Sequence, residues 1–137
     1  MRVGAGCSSG GLSHAQFVKR AGDLCKQAAR DRRALPTPYA AYQLVSYLEG
    51  ARRIEERFLE SARKLEPPRE DAEDWRRALA LDERLLRKFQ RLHDALKRGD
   101  VATVSTVMDE LVALPRHNVF EQRLGIQGCT SRTARKR

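Results

Sequence analysis

The sequence has 137 residues, enough for one domain with a single hydrophobic core. Its 41% hydrophobic and 33% charged residues, with only nine Gly and five Pro, favour an all-helical protein and argue against a β-rich or disordered one. The net charge of +9 suits anionic partners, and the sequence contains no run of about 20 apolar residues, which excludes a bilayer-spanning helix within it.

The first predicted helix follows a segment without apolar periodicity. Residues 1–12 contain Cys7 and then a Gly/Ser-rich stretch, which is typical of a flexible tether because glycine and serine cannot build a core. Ser13 is expected to cap helix 1, with Gln16 as its capping-box partner. Pro36 ends the helix. Its apolar stripe, at three- and four-residue steps, consists of Phe17, Val18, Ala21, Leu24, Cys25 and Ala28.

Helix 2 has a predicted start at Thr37, which can cap, with Pro38 in the first helical position, where no N–H partner is needed. Its apolar stripe runs over residues 41–65. Gly50 within this stripe costs up to about 1 kcal/mol relative to Ala and is expected to permit a close helix contact. Residues 67–68 are both proline and end the helix.

Helix 3 opens with acidic residues at 70, 71, 73 and 74, which complement the positive end of the helix dipole. Its stripe begins at Trp75, and Gly99 supplies a left-handed stop. Asp100 then caps helix 4, whose stripe begins at Val104.

Helix 4 contains one predicted interruption. Pro115 removes a backbone hydrogen bond, so a kink or a short break is expected there. The apolar pattern resumes at Val119, and Gly125 followed by Ile126 fits a glycine stop with its hydrophobic contact. Asn118 is expected either to bond across to helix 1 or to be a surface amide at the kink.

Four amphipathic helices joined by short turns predict an all-α fold, an antiparallel up-and-down four-helix bundle with flexible N- and C-terminal tails. The bundle occupies residues 13–129, after the tether at 1–12 and before a basic, disordered tail at 130–137. In this topology helix 1 neighbours helix 4. Cys129 must fold back along helix 1 to meet Cys25, which lies roughly 18 Å from the helix start. The alternative is that Cys25 is a free, buried thiol.

Several of these features together carry a family resemblance. They are Phe17 through Ala21 to Leu24-Cys25, Leu65-Glu66-Pro67-Pro68, Trp75, the Gly99-Asp100 turn, and Asn118 through Leu124-Gly125-Ile126 to Cys129. The pattern resembles that of actinobacterial extracytoplasmic proteins, many of them classed as lipoproteins of unknown function, and it spans residues 13–129. The resemblance implies a disulfide between Cys25 and Cys129, and hence an oxidising compartment.

The third cysteine lies in a segment that is similar to a lipobox. In residues 3–11, Cys7 would be the lipidated residue and would attach the protein to a membrane. Gly4 departs from the Leu or Val that a lipobox usually has. An export signal also needs an apolar stretch of about 7–15 residues, and only four residues separate Arg2 from Cys7. Either the true start lies upstream of Met1, or the protein has no export signal.

No catalytic or cofactor site is found by pattern. His14, His93 and His117 lack metal-ligand spacing and are interpreted as surface or helix-flank histidines. Phosphate loops, dinucleotide fingerprints and Cys-x-x-Cys pairs are absent. The sequence therefore predicts a non-enzymatic protein without a cofactor or a metal.

Other prominent side chains receive a structural interpretation. Trp75, Phe58 and Phe89 lie on apolar stripes and are predicted core residues. Glu55, between Ile54 and Glu56, is predicted to lie on a solvated helix face. A cluster early in helix 2 suits interface packing or a small-ligand pocket, and it consists of Tyr39, Tyr42 and Tyr47.

The leading functional hypothesis is a secreted or membrane-anchored helical bundle of the cell envelope, a binding or structural module for a protein or small-molecule partner. The alternative is a cytosolic basic bundle that binds nucleic acid or an acidic protein. The acid-free tail at 130–137 favours this alternative. Acidic residues interleave with most of the basic residues on the helices, however, which argues against a phosphate-binding stripe and against nucleic acid.

Overall fold

The computed structural model describes residues 11–114 and 118–127. All regular structure in these ranges is helical, which confirms the predicted all-α class. Five helices lie within the described ranges, four of them long, with one 3₁₀ turn between the second and the third. They are α1 His14–Arg33, α2 Ala41–Arg63, the turn Arg69–Asp71, α3 Ala72–Arg98, α4 Val101–Ala113 and α5 Val119–Leu124. Most of the predicted tether, and the whole predicted tail, lie outside the described residues.

Several helix ends follow their predicted capping chemistry. The Ser13 hydroxyl accepts from the backbone N–H of Gln16 at 3.1 Å, and the Gln16 side chain accepts in return from the Ser13 N–H at 2.9 Å. Gly99 ends α3 in the left-handed region with φ 70°. Asp100 caps α4 by accepting from the N–H of Thr103 at 3.1 Å. These ends form from local side-chain chemistry that satisfies otherwise unpaired backbone groups.

The predicted start of α2 at Thr37 and Pro38 is wrong. The helix begins at Ala41, and the residue before it, Ala40, has an extended backbone. The Gln43 side-chain oxygen accepts from the backbone N–H of Tyr39 at 2.7 Å and of Ala40 at 3.0 Å, so it provides the cap. The close contact expected at Gly50 is made by the segment between α1 and α2 and not by a helix. A β-carbon on Gly50 would lie 2.6 Å from Leu35 Cδ2. The connection between α1 and α2 therefore packs against α2 at Gly50.

The predicted interruption near Pro115 is a break, since α4 ends at Ala113 and α5 starts at Val119. Asn118 caps α5 by accepting from the N–H groups of Phe120 at 3.1 Å and Glu121 at 3.4 Å. Gly125 ends α5 with φ 81°. Ile126 beyond it is 6% exposed and packs into the core, as the glycine-stop pattern predicts.

The long helices α2 and α3 form the framework on which the others pack. One half of this pair is covered by α1 and α5, and the other half by α4. The larger core cluster combines α1 with the end of α2 and the start of α3; it includes Phe17, Ala21, Cys25, Phe58, Leu59, Trp75 and Leu124. The smaller cluster joins Leu48 of α2, Leu92 of α3 and Val107 of α4.

This arrangement differs from the expected neighbourhood of helices 1 and 4. Among the described helices, α1 packs chiefly on α2, whereas α4 packs chiefly on α3. The physical reason is the break after α4: α5 turns back onto the first half of α3, where the fourth helix of a simple bundle would lie. A five-helix arrangement is what the described residues show.

The core contains the aromatic side chains that the apolar stripes predicted. Phe17 is fully buried, and its ring meets that of Trp75 edge to face, with centroids 5.0 Å apart. Phe58 is also buried, and Phe89 packs against the smaller cluster. No helix within the described ranges is long and apolar enough to cross a bilayer.

Candidate functional site

Ionisable side chains from four different helices meet inside the larger half of the molecule. We call Arg32 of α1, Glu55 of α2, Asp82 of α3 and Glu121 of α5 the carboxyl cluster. All four line a cavity of about 40 Å³, which has room for little more than a water molecule. Glu55 is 6% exposed and Glu121 is 3% exposed. Acidic side chains are seldom buried to this degree without a specific partner.

Cationic and amide partners in the carboxyl cluster are few. Arg32 Nη1 lies 4.0 Å from Glu55 Oε1, a long ion pair. Asn118 Nδ2 lies 3.5 Å from Asp82 Oδ1 and makes its shorter bond, 2.8 Å, to the backbone oxygen of Ala78. The three carboxyl groups thus share one cation and one amide donor as polar partners.

Asp82 and Glu121 lie within hydrogen-bonding reach of each other. The Oδ2 atom of Asp82 is buried and has no donor if every carboxyl group is ionised. An ionised carboxylate is acceptor-only, whereas a protonated one donates. A proton held by Glu121 and donated to Asp82 therefore satisfies both groups.

Burial is the main cause of the raised pKa values in the carboxyl cluster. Burial and then the facing Asp82 raise the pKa of Glu121 to about 10. Burial raises the pKa of Asp82 to about 6, although the hydrogen bond from Glu121 acts to lower it. Burial, then the charge of Asp82, raises the pKa of Glu55 to about 7, against the attraction of Arg32. At neutral pH Glu121 is therefore the protonated member, and Asp82 is its acceptor.

Sequence reasoning missed this cluster. The prediction that Glu55 lies on a solvated face is wrong, and Arg32, Asp82 and Glu121 were not singled out. The helical spacing of two of these acids from buried apolar residues could have indicated the cluster. Glu55 is four residues after the buried Ala51, and Asp82 is four residues after the buried Ala78, so both lie on apolar faces.

The described residues contain no group of three or more His, Cys, Asp or Glu side chains arranged to hold a metal ion. The two histidines within these ranges instead bond to acids. His14 Nδ1 lies 2.6 Å from Asp71 Oδ2 at the start of α1. His93 Nε2 lies 2.9 Å from Glu49 Oε2, and this bond lowers the pKa of Glu49.

The surface interpretation of the histidines holds for His14 and is wrong for His93. The His14 side chain is 54% exposed, whereas His93 is only 9% exposed between α2 and α3. His117 lies outside the described residues.

The tyrosine cluster borders a groove beside the α1–α2 connection. Tyr42 and Tyr47 line it, and its volume is about 330 Å³. Tyr42 is 68% exposed, and nearby Tyr39 is 88% exposed. We call this feature the tyrosine groove; its remaining lining residues are Leu35, Pro36, Thr37, Gln43 and Ser46. A mixed apolar and hydroxyl surface of this kind suits contact with another molecule.

Charges on the helix surfaces are mixed, as the interleaving of acids predicted. Arg63 of α2 pairs with Glu83 of α3 at 2.7 Å, and Lys88 of α3 pairs with Glu110 of α4 at 2.8 Å. Arg84 and Arg87 on α3 have no ion pair among the described residues and are exposed. The basic excess is thus dispersed between paired positions.

Of the three cysteines, one lies within the described residues and two lie outside them. Cys25 is 3% exposed and is disulfide-bonded. Cys7 and Cys129 lie outside the described residues, so the predicted pairing and the predicted lipidation stay predictions. The last described residue, Gln127, lies against α1: its carbonyl oxygen is 3.0 Å from the place of a β-carbon on Gly22.

Comparison of the chain with protein-family models, with curated proteins and with solved structures gives no match.

Proposed function

We propose that this chain is a non-enzymatic, extracytoplasmic helical domain that a lipid on Cys7 anchors to the membrane and that binds a partner at the tyrosine groove. A disulfide between Cys25 and Cys129 closes the domain. The domain is the outward-facing part of the protein, and the segment around Cys7 is its tether. Its role is to present a binding surface at the cell envelope.

The observation that carries this proposal is the position of Gln127 on α1. Its contact with Gly22 brings the chain over α1 one turn before Cys25. A turn of α-helix advances about 5.4 Å, and two extended residues span about 7 Å, so this position of Gln127 supports a bond between Cys25 and Cys129. A disulfide that joins the beginning of the bundle to its end is typical of oxidising compartments.

The tyrosine groove is the surface best suited to a partner. Exposed tyrosines supply a large, rigid contact area with a polar tip, and they are enriched at binding interfaces. Tyr39 and Tyr42 remain exposed instead of packing into the smaller core cluster. The volume of the groove, about 330 Å³, suits a short peptide segment or a drug-sized molecule.

A non-enzymatic role agrees with the chemistry of the carboxyl cluster. Its cavity of about 40 Å³ admits no organic substrate. Glu121 and Asp82 already satisfy each other through one proton, so neither is poised toward a ligand.

The proposal is tested by expression of the gene with its native upstream sequence in its own host. Cell fractionation, labelling with an alkyne fatty acid and a thiol assay on unreduced, denatured protein are then compared between wild type and Cys7→Ser. The proposal expects envelope-bound, labelled protein that loses its label and its anchoring in the variant. In the unlipidated wild-type chain, one thiol is expected to react.

The alternative gives the opposite set of results. A cytosolic nucleic-acid binder would stay in the soluble fraction with its cysteines reduced. Its affinity for DNA or RNA would fall steeply with salt. That outcome would replace the proposal.

A further inference from the structure

Asp82 of α3 and Glu121 of α5 line the same small cavity. We propose that these two residues share one proton that fastens α5 to α3, and that loss of this proton as pH rises releases α5 together with residues 125–127. This inference concerns the folded domain and does not depend on where in the cell the protein resides.

The geometry makes α5 a separable element. It has only six residues, and its main helix partner is α3. A helix this short is not stable by itself in water, so α5 holds its form through the contacts that dock it. Those contacts include the carboxyl pair and the Asn118–Ala78 bond. They also include the buried Leu124 and Ile126, the ion pair of Arg123 with Asp74 of α3 at 3.5 Å, and the packing of Phe120 against the larger core cluster.

The surroundings of the pair cannot stabilise a further negative charge. Arg32 of α1 faces it, but this guanidinium already serves Glu55 of α2. Glu83 of α3 adds repulsion on Asp82. Cys25 also lines the cavity, and as a disulfide cysteine it does not titrate. If Glu121 ionises in place, the cavity holds more acids than cations, with little water to screen them.

Detachment of α5 lets Glu121 reach water, where its pKa returns toward its ordinary value of 4.5. While the closed form holds the proton and the open form does not, each pH unit raises the opening constant about tenfold. Between pH 6 and pH 8 the opening constant is therefore expected to rise about 100-fold. The raised pKa of Glu121 extends this window beyond neutral pH.

Amide hydrogen exchange on the full chain tests the proposal. The protection of the amides in residues 118–127, corrected for the pH dependence of intrinsic exchange, is measured at several points from pH 6 to pH 8. Glu121→Gln keeps the shape of the side chain and donates permanently to Asp82, without a proton to lose. Glu60→Gln is the matched control, because Glu60 is exposed on α2 and has no ion pair among the described residues.

Wild type and the Glu60→Gln control are expected to lose protection in these amides about 100-fold over this range. Glu121→Gln is expected to keep it. A wild-type profile that is flat, or a slope in Glu121→Gln equal to that of wild type, would overturn the proposal. If Glu121→Gln fails to fold, Glu121→Met provides the test: its side chain likewise has no proton to lose, so a slope equal to that of wild type would overturn the proposal.

Discussion

The carbonyl oxygen of Gln127 lies 3.0 Å from the position that a β-carbon on Gly22 would occupy. The segment that follows α5 thus crosses α1 where α1 has no side chain. Gly22 is buried in the middle of α1, although glycine weakens a helix interior by about 1 kcal/mol relative to alanine. The close approach of a second backbone accounts for glycine at this position.

Gly22→Val is therefore expected to destabilise the protein by about 1–3 kcal/mol, because its side chain must displace the backbone of Gln127. This loss occurs although valine has the better helix propensity. Urea unfolding measures it. Lys26→Val is the control, since it places the same side chain one turn later at an exposed position and should cost only a few tenths of a kcal/mol. Equal effects at the two positions would refute the packing argument.

Asn118 has two structural tasks, and its replacements separate them. Asn118→Ala removes both the cap of α5 and the buried bond to Ala78, and is expected to cost about 2 kcal/mol. Ser13→Ala removes only a helix cap and should cost about 1 kcal/mol. Denaturant unfolding at neutral pH compares the two.

Asn118→Asp keeps the cap but replaces the donor with an acid beside Asp82. We expect it to be less stable than Asn118→Ala at pH 7 and to recover as the pH is lowered, because protonation removes the added charge. Stability of Asn118→Asp equal to that of wild type at pH 7 would contradict the assignment of the Ala78 bond.

Global stability is expected to fall as pH rises from 5 to 8. The pKa of Glu55 is about 7 in the folded protein and 4.5 as its ordinary value, so its contribution is fully present below 4.5 and is lost as pH rises through 7. Glu55 alone accounts for up to about 3 kcal/mol, and Glu121 acts in the same direction. Exposed Glu73, whose pKa is lowered chiefly by its hydrogen bond from Arg76, acts oppositely only in the acid range.

Glu55→Gln isolates this contribution. It is expected to gain stability relative to wild type at pH 8 by more than it does at pH 5, as measured by urea unfolding at each pH. Glu56→Gln, at the adjacent half-buried position where the side chain accepts from Arg52, should retain the wild-type pH dependence. The account fails if both variants have the same pH profile.

The larger core cluster is expected to be far more sensitive than the tyrosine groove. Phe17→Ala removes a fully buried ring that meets Trp75 edge to face and should cost about 3–5 kcal/mol. Tyr42→Ala, at a 68% exposed position that lines the groove, should change stability by no more than about 0.5 kcal/mol. Thermal unfolding of both variants checks this contrast, and a comparable loss in Tyr42→Ala would show that the groove is part of the core.

Local chemistry explains which parts of the fold could be predicted. The helix ends at Ser13 with Gln16, at Gly99, at Asp100 and at Gly125 depend on groups only a few residues apart. Such ends can therefore be predicted from the sequence. The predicted start of α2 is wrong because the Gln43 side chain accepts from the backbone N–H of Tyr39 and so caps the helix at a later position. The Thr37-Pro38 pattern does not indicate this bond.

The carboxyl cluster could not be predicted from each helix taken separately. Arg32, Glu55, Asp82 and Glu121 belong to four helices, and each looks like an ordinary surface charge within its own segment. Glu121 joins the other three because α5 returns to the first half of α3 after the break that follows α4. Burial, which sets their titration, is a property of the assembled helices.

The central claim is that one disulfide joins α1 to the chain that follows α5. Closing a loop of about 100 residues adds up to about 4.7 kcal/mol in the chain-entropy model. The most direct measurement is mass spectrometry of a tryptic digest of unreduced protein in which free thiols have first been alkylated. Cleavage after Lys and Arg places Cys25 in residues 21–26, Cys129 in residues 124–132 and Cys7 in residues 3–19. The account predicts residues 21–26 linked to residues 124–132, with residues 3–19 unlinked; alkylation of both Cys25 and Cys129, or linkage of either one to Cys7, would contradict it.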